Sequence, residues 1–221
     1  LLSPLIPPHA LDMATLVIRT GETQSLDELG THLRDCGFEQ VPTIDGVGQF
    51  SVRGGILDLY PFGVEHPFRF EFFDDEVESI RTFDVGTQRS LQPCQEAKIL
   101  PACEVLLEPM FVEEYQQAIT DAEEQDRFEL QDLRDQLEMG TSLEGIESYI
   151  NLLYGPNDGL FEYLRNPVLV CDEEEDVDRE LEKAIERPAR EFARRSKRSV
   201  LPPPARLMRE PVWLSTQMEA R

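Results

Sequence analysis

Residues 50–90, FSVRGGILDLYPFGVEHPFRFEFFDDEVESIRTFDVGTQRS, decide the fold. Apolar and polar residues alternate along this stretch, and Gly, Pro and Asp punctuate it. Alternation with turn residues at the breaks marks short strands. The spacing predicts four of them, at about 49–53, 56–60, 67–73 and 77–83. Gly54-Gly55 separates the first pair as a tight turn or bulge, and Pro61, Gly63 and Pro67 bound the next loop. Asp74-Asp75 reads as the hairpin turn between the last two. A fifth strand is expected at about 97–100. Strands joined this closely pair antiparallel.

Outward from the sheet, the chain begins with a Pro-rich stretch, 1–12, read as a leading linker. A short β-branched strand, 15–19, follows. Ser25 then opens a helix with Glu28 three residues on, a capping box. Leu26, Leu29, Leu33 and Cys36 share one face of that helix, and Gly37 is placed to end it. Residues 13–102 thus form a small antiparallel sheet with a packed helix, an α+β unit. Residues 103–221 are mostly helical and strongly acidic. Helix faces there are marked by Tyr115, Ala118, Ile119 and Ala122, by Leu130, Leu133 and Leu137, and by Val177, Leu181, Ile185 and Phe192. Leu143, Ile146, Ile150 and Leu153 follow a second capping box, Thr141 to Glu144. A lone apolar strand is expected at 168–171, and a lone strand needs a ladder partner elsewhere. Leu1 and Arg221 fall in mid-pattern, so the chain reads as a segment of a longer protein.

Composition narrows the function. The 221 residues carry a formal net charge of -23. That balance argues against binding to a phosphate backbone, which needs an excess of Lys and Arg. Lys occurs only at 98, 183 and 197, so most cations are Arg, the better residue for forked contacts with carboxylates. The spacing of Cys36, Cys94, Cys103 and Cys171 suits neither a zinc ribbon nor a CxxC motif, and reduced thiols in the cytosol are expected. No apolar run is long enough to span a membrane.

The strand at 67–73 carries the feature with a function attached. Phe68, Phe70 and Phe72 fall on one face, the core face, and Arg69, Glu71 and Phe73 on the other. A Phe beside an Arg on a polar face matches the residue types enriched at interface centres. Arg53 on the neighbouring strand can join them. The plainer alternative tucks Phe73 under the hairpin turn and leaves Arg69 in a local ion pair. Asp58, inside ILDLY, is either a buried acid or, more usually, an acceptor for nearby backbone amides.

Other motifs fall short. VLVCDEEED (168–176) resembles a Walker B strand, but no GxxxxGK[ST] accompanies it. DEEEDVD lacks the central Gly of a calcium loop, and its carboxylates suit a helix start. His9, His32 and His66 form no ligand-spaced pair, so neither a metal site nor a catalytic dyad is expected. The basic segment 190–198 reads as a solvated helix end or a contact with an acidic domain.

VRGGILDLYPFGVEHPFRFEFFDDEVESIRTFD (52–84) resembles the module shared by the excinuclease component UvrB and the transcription-repair coupling factors (Mfd family). RGGILDLYPFGVEHP and DVGTQRSL favour the coupling factors, and GIESYINLLYG (145–155) is similar to their next recurring segment. The resemblance implies that 13–102 is domain 2, which binds the nucleotide-excision-repair protein UvrA. It implies that 103–221 belongs to domain 1b of a degenerate helicase-like fold, whose domain 1a would precede residue 1. Arg53, Arg69 and Phe73 match the family's UvrA-contacting positions. It further implies a cytoplasmic bacterial protein whose remaining parts bind RNA polymerase and double-stranded DNA, use ATP and Mg, and cover the UvrA face in the whole protein.

The function expected is therefore a non-catalytic interaction module of a coupling factor, with no cofactor and no metal of its own. The alternative is a fragment of the excinuclease component UvrB, acting in ATP-dependent damage verification.

Overall fold

The computed structural model describes residues 4–126, 130–140, 146–156, 159–165, 168, 173–195 and 204. They divide between two compact units, one of His9–Pro109 and one of Leu1–Pro8 with Met110–Arg221.

The first unit is α+β. Helix α1 (Pro8–Ala14) occupies part of the stretch whose Pro content suggests a linker, burying Ala10 and Ala14. Pro8 at its first position costs the helix nothing, because that N–H would have no partner. Strands β1 (Leu16–Arg19) and β8 (Glu96–Ile99) pair antiparallel as a two-stranded sheet. Between them run α2 (Leu26–Asp35), β2 (Glu39–Gln40), β3 (Gln49–Arg53), β4 (Ile56–Tyr60), β5 (Phe68–Phe73), β6 (Glu76–Phe83) and β7 (Ser90–Cys94). Strands β2 to β7 form one six-stranded sheet in chain order.

All pairs from β3 to β7 are antiparallel, as the short connections require. The edge pair β2–β3 is parallel, so the sheet is mixed. The 39–40 and 90–94 segments carry no apolar alternation, and both edge strands escape the periodicity argument. The fifth predicted strand does exist at the 97–100 position, but it pairs with β1 and not with the main sheet.

Helix α2 is built as its sequence demands. Ser25 Oγ accepts from the Glu28 N–H at 3.4 Å. At the other end Gly37, at φ +85°, completes a Schellman motif. The Gly37 N–H donates to Arg34 O at 2.9 Å, and the Phe38 N–H to Leu33 O at 2.9 Å. Leu29 and Leu33 are buried. A Cβ at Gly30 would stand 3.9 Å from the Phe50 ring, so the helix lies over the Phe50 face of the sheet. Phe50, Leu57, Leu59, Phe70 and Ile80 are all buried on that face. Fully burying each such side chain stabilises by about 1.5–3 kcal/mol.

The second unit is helical where it is described. It holds α3 (Pro109–Asp126), α4 (Gln131–Glu138), a 3-10 turn (Ile146–Tyr149), α5 (Ile150–Leu153), α6 (Leu160–Tyr163) and α7 (Glu174–Arg195). Tyr115, Ile119 and Ala122 of α3 are buried, as are Leu130, Leu133 and Leu137. The Tyr115 and Tyr154 rings meet edge-on at 5.2 Å. Arg134 ties α4 to α3 through Gln116 Oε1 (3.0 Å), Thr120 Oγ1 (2.9 Å) and Glu123 Oε2 (2.7 Å). The Tyr163 hydroxyl donates to the Ile6 carbonyl. Val168 is exposed and in no strand, and residues 169–171 of the expected apolar strand lie outside the described residues. The second capping box, 141–144, lies outside them as well, and within the helix predicted to follow it Ile146–Tyr149 form a 3-10 turn that leads into α5. A Gly at 145, a poor helix former, precedes that turn.

Candidate protein-binding face

The sheet face opposite Phe50 is polar, and strand register assembles it. Asp58 on β4 stands opposite Ser51 of β3 and Arg69 of β5, and Arg69 stands opposite Arg81 of β6. One step along, Arg53, Ile56, Glu71 and Ser79 form a second row. Phe73 follows Glu71 by two residues and so points to the same side, at the hairpin end of β5. Arg53, Arg69 and Phe73 therefore share one face, as the alternation predicts.

Their surroundings differ. Asp58 is buried, at 1% exposure, and it accepts from both arginines. Arg69 reaches it with Nε to Oδ1 at 2.6 Å and Nη2 to Oδ2 at 2.8 Å. Arg53 Nη2 reaches Oδ2 at 2.5 Å. The carboxylate thus serves side chains, where the sequence favoured backbone amides. A buried carboxylate without cations carries a penalty of several kcal/mol, and two guanidinium groups offset it. Its bonds hold the Arg69 guanidinium further toward its charged form.

Arg69 is held on its other sides too. Its guanidinium carbon stands 4.4 Å from the centroid of the Phe83 ring, a cation–π contact. Its Nη1 donates to Gln88 O at 3.4 Å and its Nη2 to Gln88 Oε1 at 3.2 Å. Gln88 sits at φ +59° in the 84–89 loop, which Asp84 closes by accepting from the Thr87 N–H at 2.7 Å and the Thr87 hydroxyl at 2.6 Å. Only 16% of the Arg69 side chain meets solvent, against 45% of Arg53. Phe73 is 70% exposed and does not tuck under the turn. Beside it, Glu71 accepts from Ser79 Oγ at 2.6 Å and from Arg81 Nη2 at 3.1 Å.

Sequence reasoning missed Gln88 and Phe83. Strand periodicity says nothing about a loop residue, and Phe83 looks like one more core aromatic. The one available signal was the positive charge of Arg69 on a strand with a buried acid beside it.

A second cluster lies apart from this face. His32 of α2 and Cys36, the residue that caps its C-terminal end, meet Glu108, and one donor atom of each lies within 4.8 Å of the others. The spacing between His residues does not reveal it, because it joins a His to a Cys. Among the described residues, Cys36 and Cys94 are thiols outside any disulfide. No described helix is long and apolar enough to cross a membrane.

With this geometry in place, comparison with known proteins decides the family. Residues 16–104 match the UvrB interaction domain family. The matched segment belongs to that family. It runs from β1 to just past β8 and lies inside the first compact unit. Beyond it, the chain is similar to curated transcription-repair-coupling factors. It is 34% identical over 174 residues to that of Haemophilus influenzae, covering 79% of this chain and 15% of the relative. It is 36% identical over 166 residues to that of Escherichia coli, covering 74% and 14%. The Bacillus subtilis protein is 37% identical over 106 residues, 48% of this chain and 9% of the relative. The chain thus matches about 15% or less of the length of these relatives.

Proposed function

We propose that the first unit is the UvrA-binding module of a bacterial transcription-repair coupling factor, and that Arg53, Arg69 and Phe73 form its contact face. The observation that carries the reading is Phe73, an aromatic 70% exposed on the charged face of a UvrB interaction domain. An exposed Phe gains little in a free module and much in a buried interface. Arg53 and Phe73 lie two strand spacings and two residues apart, about 12 Å, close enough for one partner surface to cover both. Asp58 fixes both arginines before any partner arrives, so binding costs less side-chain entropy. Arg53 supplies the accessible charge, and Arg69 forms the floor beneath it.

In a whole coupling factor this module would recruit UvrA to RNA polymerase stalled at DNA damage, in the bacterial cytoplasm. ATP, Mg and double-stranded DNA would be handled by other parts of that protein, and this module catalyses nothing. The similarity to coupling factors favours this reading over a UvrB fragment.

The test is capture of UvrA by the chain and by Arg53→Ala, Arg69→Ala and Phe73→Ala. Truncation at an interface centre costs about 2 kcal/mol or more, roughly a thirtyfold loss of affinity. Folded variants that all bind like the parent would overturn the assignment.

A further inference from the structure

Three side chains of different chemistry converge where α2 ends, away from the Asp58 face. His32 and Cys36 are four residues apart and share one side of the helix. Glu108 reaches them from the segment that leads into α3. His32 Nε2 lies 3.5 Å from Cys36 Sγ, and Glu108 Oε1 lies 3.6 Å from that sulfur and 3.5 Å from His32 Nδ1. Tetrahedral zinc, with bonds of about 2.0–2.3 Å, sets its donors roughly 3.3–3.8 Å apart. The Cys36–Glu108 spacing falls in that range; the two His32 contacts use different ring nitrogens, and with one donor atom from each residue the three lie within 4.8 Å of one another.

The cluster is a built site and not a chance meeting of surface groups. Cys36 is buried, and the side chains of His32 and Glu108 are only 29% and 20% exposed. Backbone bonds clamp the two segments together, from the Ala102 N–H to Cys36 O at 2.8 Å and from the Leu107 N–H to Asp35 O at 3.1 Å. A groove lined by Asp27, Glu28, Thr31, Asp35, Glu108 and Pro109 opens beside the cluster. Its carboxylates bias the local potential toward cations. The Cys36 thiol donates to Glu108 Oε1.

We propose that His32, Cys36 and Glu108 bind a borderline-soft divalent metal of the zinc type, with the fourth position facing the groove. Nitrogen, sulfur and oxygen donors suit zinc, cobalt or nickel better than magnesium or calcium. On binding, the Cys36 proton passes to solvent and no electron moves. The metal would pin the 102–108 segment against the end of α2. The inference stands independently of UvrA binding.

The chain, stripped of metal with a chelator, is titrated with Co²⁺ and then with Zn²⁺. The expected result is a thiolate-to-cobalt charge-transfer band that Zn²⁺ abolishes and that Cys36→Ser never shows. His32→Gln and Glu108→Gln should each weaken Zn²⁺ binding at least about tenfold, the loss that outer-shell partners alone produce. Zn²⁺ should also raise the unfolding temperature of the parent more than that of either variant. Were Cys36→Ser unable to fold, these two partly exposed positions decide. A parent without the band, a band that survives Cys36→Ser, or Zn²⁺ affinity unmoved by both His32→Gln and Glu108→Gln would overturn the proposal.

Discussion

Arg69 grips both oxygens of the buried Asp58 carboxylate, at 2.6 and 2.8 Å, from the next strand of the sheet. The forked geometry fixes the guanidinium plane, and Arg53 closes the carboxylate from the other flank at 2.5 Å. The polar face of β3, β4 and β5 is therefore organised by an acid that no partner can reach.

Asp58→Ala should be among the most damaging changes in this unit. It leaves Arg69 beside an empty place and removes the anchor of Arg53. Breaking a buried pair on one side costs about 3–5 kcal/mol. Arg53→Ala should cost about 1 kcal/mol or less, since that side chain is nearly half exposed and Arg69 still covers the carboxylate. Urea denaturation of both variants, with amide exchange on β4 and β5, checks the order. An Asp58→Ala chain as stable as the parent would remove Asp58 from this role.

Phe73→Ala separates binding from folding. At 70% exposure the ring contributes little to the fold, and the change should stay within about 0.5 kcal/mol of the parent. UvrA capture should nevertheless fall by roughly thirtyfold. Arg69→Ala will lower both quantities, because the same side chain holds Asp58, Gln88 and the Phe83 ring. Stability and capture measured on one preparation of each variant distinguish the two cases.

The strands of the main sheet were legible because a period of two is imposed by the pleat itself. β3 through β6 lie where alternation put them, and Gly37 ends α2 by the geometry its lack of a Cβ allows. What escaped was set by tertiary partners. β2 and β7 carry no apolar rhythm and exist because a neighbouring edge pairs with them. The 97–100 strand was visible as a strand, but its pairing with β1 depends on a partner some eighty residues earlier. On the face, periodicity put Arg69 and Phe73 on one side, yet not that the first would be largely covered and the second open. That difference comes from Asp58, Phe83 and the 84–89 loop, which meet only in three dimensions.

The turn at Gly54-Gly55 supports the same face, and its two glycines should respond differently. Gly54 stands at φ +61° with open space around its α-carbon, so Gly54→Ala meets only the left-handed backbone penalty, about 1–2 kcal/mol. A Cβ at Gly55 would lie 2.7 Å from the carbonyl oxygen of Phe72. The Phe72 N–H also donates to Gly55 O at 2.7 Å, so neither backbone segment can retreat freely. Gly55→Ala should therefore destabilise more than Gly54→Ala and disturb Phe73 next door. Thermal unfolding ranks the pair, and weaker UvrA capture by Gly55→Ala than by Gly54→Ala would follow.

Acid should loosen the helical unit through Glu123. Partial burial works against ionisation of its carboxyl, but hydrogen bonds from Arg134 and from the Leu130 N–H outweigh that and hold it below the usual carboxylate range. A group depressed in the folded state adds stability above its unfolded value, and that stability is lost as pH falls through the folded value. The Glu123 contribution is thus full near neutrality and fades below about pH 4.5, the range of an unperturbed Glu. Glu123→Gln should lower stability at pH 7 and flatten its fall between about pH 5 and pH 3. Parent and variant followed by far-ultraviolet dichroism of the helices across that range should converge at the acid end. Parallel curves with a constant offset would mean that the Glu123–Arg134 pair does not drive the acid response.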